Sequence, residues 1–285
     1  MKSSDTNQGG ADLHVHTTQS DGLLSPMEVV QQARLAGLRA IAITDHDEVD
    51  GIDAAVNAGR ELDLEVLSGV ELSVTHKQFD VHMLGYLLDH RHPRLVASVQ
   101  EFQNERRLRL DRILDKLAAM GLRLSKENVL RRAGAGSVGR PHIADAMVEA
   151  GCVANYFEAF NLYLGDGKPA YVPKKRLSAI DAIKLLHEAG GLAALAHPGQ
   201  DIPDDIVLEM IKAGIDAIET VHPKHGEARR QHYATMAHTH GLLTTGGSDF
   251  HGGRKNDERV GDWRVPYEVV EKMKNHVTTR RPLWA

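Results

Sequence analysis

ADLHVHTTQSDG, residues 11–22, decides how the rest of this chain is read. His14 and His16 stand two apart, with Asp12 before them and Asp21 after. In a strand, residues i and i+2 point to the same side, so Asp12, His14 and His16 share a face. Two imidazoles side by side in an interior cannot both stay unpaired at low cost. A shared ion resolves this, with Asp12, deeper on the same face, placed to accept one imidazole's other N–H. A pair of hydrogen-bonded core histidines resolves it equally well. The choice depends on what the other strands carry.

Strand-like runs recur at 39–44, 64–74, 79–88, 191–197, 217–221 and 241–250. Amphipathic segments lie between them at 25–37, 51–62, 178–190, 205–214 and 227–241. Several start at Ser or Asp and stop at Gly, the residues that helix ends favour. Pro26 falls where a first helical turn tolerates it. Alternating short strands and helices predict βα units on a mainly parallel sheet. Seven strands suit a closed or nearly closed barrel better than a small open sheet, so the expected fold is α/β, a (β/α)7 barrel. The alternation stops between 93 and 170, where PRLVASVQEFQNERRLRLDRILDKLAAMG and three shorter segments read as helices. The expected organisation is a disordered tail over 1–10, a barrel from 11–95 and 171–285, and an all-helical insertion, 96–170, packed over one end of the barrel.

With 42% apolar and 26% charged residues, the 285-residue chain can build a sizeable core without metal or disulfide staples. Its single cysteine, Cys152, leaves no internal disulfide and fits a reducing, cytoplasmic setting. A net charge of -5 with no basic run argues against a sequence-independent grip on duplex DNA. No apolar stretch reaches the roughly 18 residues of a membrane span, so no membrane partner is expected. Histidine is the anomaly: there are 17. It is the commonest metal ligand and a frequent acid or base.

Ligand-type residues gather at the strand ends. His14 and His16 close the first strand, and Asp21 follows. TDHD brings His46, GVELS brings Glu71, DVHMLGY brings His82, LAHP brings His197, and GSDFH brings Asp249 and His251. In a βα barrel, active sites are built at the C-terminal ends of the strands. Singly, TDHD also reads as a helix cap and SDFH as a turn. Jointly, six strand ends with ligand-type residues point to a metal centre. Nine ligands exceed the four to six of one ion, so two or three divalent ions are expected. Glu71, from a middle strand, is the expected bridge, and Asp249 a shared or flanking ligand. Three divalent ions against three carboxylates leave a net charge of about +3, which attracts phosphate and lowers the pKa of a bound water. With no thiolate among the ligands, Mn, Fe and Zn all suit the site.

DLHVHTTQSDG, ITDHDEVDG, SGVELSV, VHMLGY, ALAHPG and GSDFHG together resemble the motifs of the PHP (polymerase and histidinol phosphatase) family, in the same order and along nearly the whole chain. The resemblance implies a TIM-like, distorted seven-stranded barrel with a di- or trinuclear centre. It implies His14, His16, Glu71 and Asp249 on one ion, Glu71, His82 and His197 on a second, and Asp21, His46 and His251 on a third. GRPHIADAMVEAG and YLGDGKPAYVP resemble the branch that contains 3',5'-nucleoside bisphosphate phosphatases and enzymes that trim RNA from its 5' end. That likeness implies substrate contacts from Arg106, Arg109, Arg140, His142, Lys168 and His225. The residues themselves agree in part. Arg106 and Arg109 share a helix face at i, i+3 and can grip phosphate through paired hydrogen bonds. Glu105, Arg107, Asp111 and Arg112 crowd the same helix, however, which also suits a solvated face. His142 sits at a helix start, where an anion is welcome but a packing residue is equally at home. Lys168, between Gly167 and Pro169, also reads as an exposed loop lysine.

The expected reaction is hydrolysis of a phosphate ester, with a metal-bound hydroxide held by Glu71, Asp249 and His197 attacking phosphorus in line. The expected substrates are 3',5'-nucleoside bisphosphates and the 5' ends of short single-stranded RNA. Rival readings are a phosphatase for histidinol phosphate or another small phosphomonoester, a non-catalytic metal-binding module, and a metal-dependent amidohydrolase. The long insertion argues against the first, and the full set of nine ligands against the second.

Overall fold

The structure, a computed structural model, describes residues 9–134, 136–174, 177–199, 202–253 and 259–279. Residues 1–8 of the expected tail lie outside the described residues. Gly9 and Gly10 are held: Gly9 N–H donates to Gly37 O at 3.0 Å, and Arg39 N–H to Gly10 O at 2.9 Å.

In chain order the strands are β1 (Ala11–Val15), β2 (Ala40–Ile43), β3 (Glu65–His76), β4 (Phe79–Tyr86), β5 (Leu177–Ser178), β6 (Leu192–Leu195), β7 (Ala217–Val221) and β8 (Leu243–Gly246). The helices are α1 (Pro26–Leu35), α2 (Gly51–Glu61), α3 (Pro93–Ala119), α4 (Lys126–Ala133), α5 (Arg140–Glu149), α6 (Tyr156–Ala159), α7 (Ala179–Glu188), α8 (Asp204–Ala213), α9 (Glu227–Thr239) and α10 (Glu268–Thr279). A single π turn, Phe160–Leu164, continues α6. None of the described helices is long and apolar enough to cross a membrane.

Local chemistry starts and stops these elements. At α1, the Ser25 hydroxyl accepts the Glu28 N–H while the Glu28 carboxylate accepts the Ser25 N–H, and Pro26 opens the first turn. Val29, Val30 and Ala33 then face the sheet, packed with Val15, Ile41 and Ile43. The AIAI of β2 and LAAL of β6 are buried at every position, as strands covered on both faces must be.

Seven strands lie side by side in the order β1-β2-β3-β4-β6-β7-β8, with β5 paired to the far end of β3. The two edge strands approach each other, and among the described residues one ladder-type bridge, Val15 to Phe250, joins them. His16 N–H donates to Phe250 O there at 3.0 Å. The result is a nearly closed seven-stranded barrel with helices around it.

The expected parallel order holds on either side of β4 but not at it. β1–β2–β3 and β6–β7–β8 are parallel, whereas β4 is antiparallel to both neighbours. Lys77 and Gln78 alone join β3 to β4, and a parallel crossover needs a dozen or more residues. The hairpin delivers the chain to the barrel end opposite the ligand-bearing one. The 27-residue α3 then returns it over about 40 Å. Leu95 and Val99 of α3 pack in the largest barrel cluster. Leu110, Ile113 and Leu117 pack instead with Val129, Ile143, Met147 and Leu164 in a separate helical cluster. Arg106 and Arg109 lie between the two.

Candidate metal centre

β1 brings His14 and His16 to the barrel interior, both fully buried. The Thr17–Asp21 turn that follows is wound around Asp45, whose carboxylate accepts the Thr17 N–H at 2.7 Å and the Ser20 hydroxyl at 2.5 Å. Facing them are Glu71 on β3, His82 on β4, His46 after β2, His197 after β6, and Asp249 and His251 after β8.

One donor set is tightly drawn. His14 Nε2 and His16 Nε2 are 3.1 Å apart. Glu71 Oε2 lies 3.2 Å from each of them. Asp249 Oδ1 lies 3.1 Å from His16 Nε2 and 3.5 Å from His14 Nε2. Four donors arranged tetrahedrally at about 2.0–2.1 Å from an ion would be about 3.3–3.4 Å apart. These four therefore have the separation that one ion imposes. Around the other Glu71 oxygen, His82 Nδ1 and His197 Nε2 stand 2.7 and 2.9 Å from Oε1, while His46 Nδ1 stands 3.0 Å from Oε2. Asp21, His46 and His251 form a third group within reach of His16, with His251 Nε2 3.3 Å from Asp21 Oδ1. Despite these short distances, Glu71 Oε2, His46 Nδ1 and His222 Nε2 are buried with no contact of hydrogen-bond geometry among the described residues. Buried polar atoms of this kind are rare unless an ion or water completes them. The nine residues can thus hold divalent ions, with Glu71 shared.

Two participants are not apparent from the motifs. Glu219 on β7, fully buried, accepts His14 Nδ1–H at 2.9 Å and the His197 backbone N–H at 2.7 Å. It fixes the His14 tautomer that leaves Nε2 for an ion. The expectation that Asp12 does this is corrected. Asp12 instead accepts the Ser248 N–H and hydroxyl and the Gly261 N–H at 2.7–2.9 Å, and so braces the backbone after β8. His222, 1% exposed, forms a further cluster with His14 and His197. The sequence signals for both are weak: a lone Glu inside the apolar AIETV, and a His-Pro pair like those at 92–93 and 197–198.

The electrostatics favour cations. Burial opposes charging His14, yet Glu219, Glu71 and Asp249 hold its pKa well above the usual range. Burial is likewise overcome at His16, where Asp249 and Glu71 carry the pKa up to about 9. At His46 burial wins and pushes the pKa down to about 3. Burial would raise Glu71, but His46, His82 and His14 keep it well below the carboxylate range. His197 and Asp249 adopt φ of +22° and +52°, a region that non-glycine residues enter at a cost of about 1–3 kcal/mol and most often at functional sites.

A cavity of 340 Å³ opens beside this centre. Asp21, His46, His82 and His197 line one part of it, and Arg106, Arg109, Arg140 and Lys174 another. Arg106 is bound by the buried Asp47 carboxylate. Arg109 donates to Val172 O at 2.6 Å, and burial beside Arg140 and Arg106 lowers its pKa to about 9. Arg140 is held by Asp166 and Leu164 O. Lys174, which lay outside the motif reading, donates to Ser73 at 3.1 Å. Burial, with Arg106 nearby, lowers its pKa to about 7.

Three expected substrate residues are placed otherwise. Lys168 is exposed and does not line the cavity. His142 is buried, outside the cavity lining, with Nδ1 accepting the Gly139 N–H at 3.0 Å, so it shapes the start of α5. His225 is fully buried, and both ring nitrogens are taken by backbone: Nδ1–H donates to Thr220 O and Nε2 accepts the Gly199 N–H, each at 3.0 Å. It braces the turn after His197 and has no ring nitrogen left for a phosphate.

Residues 12–144 match the PHP domain. The chain is 35% identical to a 5'-3' exoribonuclease of Haemophilus influenzae, over 84% of this chain and 89% of that protein. The chain belongs to the PHP family. It is also 32% identical to a 3',5'-nucleoside bisphosphate phosphatase of Chromobacterium violaceum, over 88% of this chain and 90% of the relative. A crystal structure from Bifidobacterium adolescentis, described as that of a metal-dependent phosphoesterase, superposes with a TM-score of 0.88 at 31% identity, covering 93% of this chain and 95% of that one. This PHP protein is a metal-dependent hydrolase of phosphate esters.

Proposed function

We propose that this PHP protein hydrolyses 3',5'-nucleoside bisphosphates and removes nucleotides from the 5' ends of short single-stranded RNA. The observation that carries this reading is the single cavity that joins the metal-ligand residues to Arg106, Arg109, Arg140 and Lys174. A substrate with two phosphates uses both parts; a simple monoester uses one.

His14, His16, Asp21, His46, Glu71, His82, His197, Asp249 and His251 would hold two or three Mn, Fe or Zn ions. When bound, such ions supply Lewis acidity and lower the pKa of water at the phosphorus. Glu71, Asp249 and His197 would hold the ions that activate the attacking water. Glu219 keeps His14 and the His197 backbone in place. The arginines and Lys174 hold the second phosphate and so fix the orientation of the scissile ester. The helical segment 96–170 covers the site, supplying Arg106, Arg109 and Arg140 and narrowing entry to a mononucleotide or a chain end.

Turnover of metal-loaded protein on adenosine 3',5'-bisphosphate, AMP, histidinol phosphate and a 5'-phosphorylated short RNA tests the proposal. The bisphosphate and RNA are expected to exceed the two monoesters by at least about tenfold in kcat/KM, the factor that 1.4 kcal/mol of extra phosphate contact supplies. Equal or better turnover of histidinol phosphate would overturn it.

A further inference from the structure

Beyond the phosphates, the cavity wall carries two aromatic rings, Tyr156 and Phe160. Both are partly exposed, and their centroids lie 5.0 Å apart at 40°. They come from α6 and the π turn that follows, a local irregularity often found at functional sites. Phe160 lines the cavity and, with Tyr156, also packs against the helical cluster that holds Leu164. Contacts then run from the metal centre to the rings. Arg106 is bound to Asp47, next to His46. Arg109 and Arg140 flank the same ring, Tyr171, at 6.0 and 5.6 Å. Arg140 also lies 5.7 Å from the Phe160 centroid. Phosphate-gripping cations therefore stand directly beside an apolar, π-faced wall.

We propose that Tyr156 and Phe160 form a stacking site for the nucleobase of the substrate, next to the phosphate held by Arg140. This rests on the nucleotide reading above and adds what selects the ligand. Every base has a π face, so stacking recognises a nucleotide without reading its sequence. Asp166, a polar side chain in the same lining, is already bonded to Arg140. The site is thus selective for a base and indifferent to which base it is.

The test is equilibrium binding of AMP and of ribose 5-phosphate, which share a phosphate and sugar and differ by the base. AMP is expected to bind the wild-type protein about 5- to 150-fold more tightly, the range of 1–3 kcal/mol that one stacked base contributes. Phe160→Leu and Tyr156→Leu keep apolar volume and remove the π face; each is expected to pull that ratio toward one. CMP and GMP are expected to fall within about tenfold of AMP, since stacking alone separates them. Equal affinity for AMP and ribose 5-phosphate in the wild type overturns the inference, as does an unchanged ratio in both variants. These outcomes do not depend on turnover, so a failed bisphosphate assay with a base-dependent binding ratio would discard the proposed reaction and keep the stacking site.

Discussion

At the level of single residues, ligand and support can be told apart by experiment. Glu71→Ala removes a carboxylate shared by two donor sets; turnover and bound metal, measured together by assay and elemental analysis, are both expected to vanish. Glu219→Gln keeps shape and loses only the charge behind His14 Nδ1. It is expected to weaken metal affinity by about 10- to 100-fold while leaving a working centre at saturating metal. Lys174 gives a pH signature. With a pKa lowered to about 7 it is charged below that pH and neutral above it. KM for the bisphosphate is therefore expected to rise as pH climbs through 7, and Lys174→Met should flatten this part of the profile. The same rise in Lys174→Met would assign it to another group. The nine candidate ligand positions that the structure brings together could be picked out in the sequence because motifs such as HxH, TDHD, AHP and SDFH put unusual residue types at successive strand ends. Glu219 and His222 were not, because one Glu in an apolar strand looks like any solvent-facing residue until the barrel closes around it. Asp12 failed differently: strand period gives the face, but the Ser248 and Gly261 groups that it binds instead of an imidazole come from far along the chain.

Among the elements, α3 was read correctly as one long helix, but its two functions were not separable in the sequence. Charged residues along it suit a solvated face, yet Arg106 and Arg109 are 9% and 5% exposed. The reversal of β4 was hidden too, since a two-residue link is evident only once strand ends are placed. The Arg106–Asp47 pair makes α3 part of the barrel as well as of the site. Arg106→Ala leaves Asp47 buried without its partner, and is expected to lower stability by about 3–5 kcal/mol along with any change in KM. Arg140→Ala, whose partner Asp166 is largely exposed, should cost less than about 1 kcal/mol and still raise KM for the bisphosphate more than for AMP. Thermal melts beside steady-state kinetics separate the two. If Arg106→Ala melts like wild type, the pair does not anchor α3.

On the scale of the whole molecule, the barrel's incomplete closure and its metal centre occupy the same place. His14 and His16 lie on one side of the β1/β8 gap, Asp249 and His251 on the other, and backbone pairing across it among the described residues is sparse: the bridge at Val15 and Phe250, the Leu23 N–H to His251 O bond in the loops above, and the Ala11–Val265 pair at the far end. Gly247 comes so close that an added Cβ would stand 2.3 Å from the His14 backbone nitrogen, so the two edges are pressed together without a continuous ladder to hold them. Ions shared across the gap would do the work of the missing ladder. Local opening should then be governed by metal and confined to this seam. Hydrogen exchange reads it directly: on chelation the His16 amide, bonded to Phe250 O, should exchange much faster, while amides of the β2–β3 ladder stay protected. Uniform acceleration would instead mean that the ions stabilise the barrel as one unit. If the seam does open alone, the catalytic ions also act as a clasp, and a cell short of metal would hold this protein as an unfastened ring rather than as an unfolded chain.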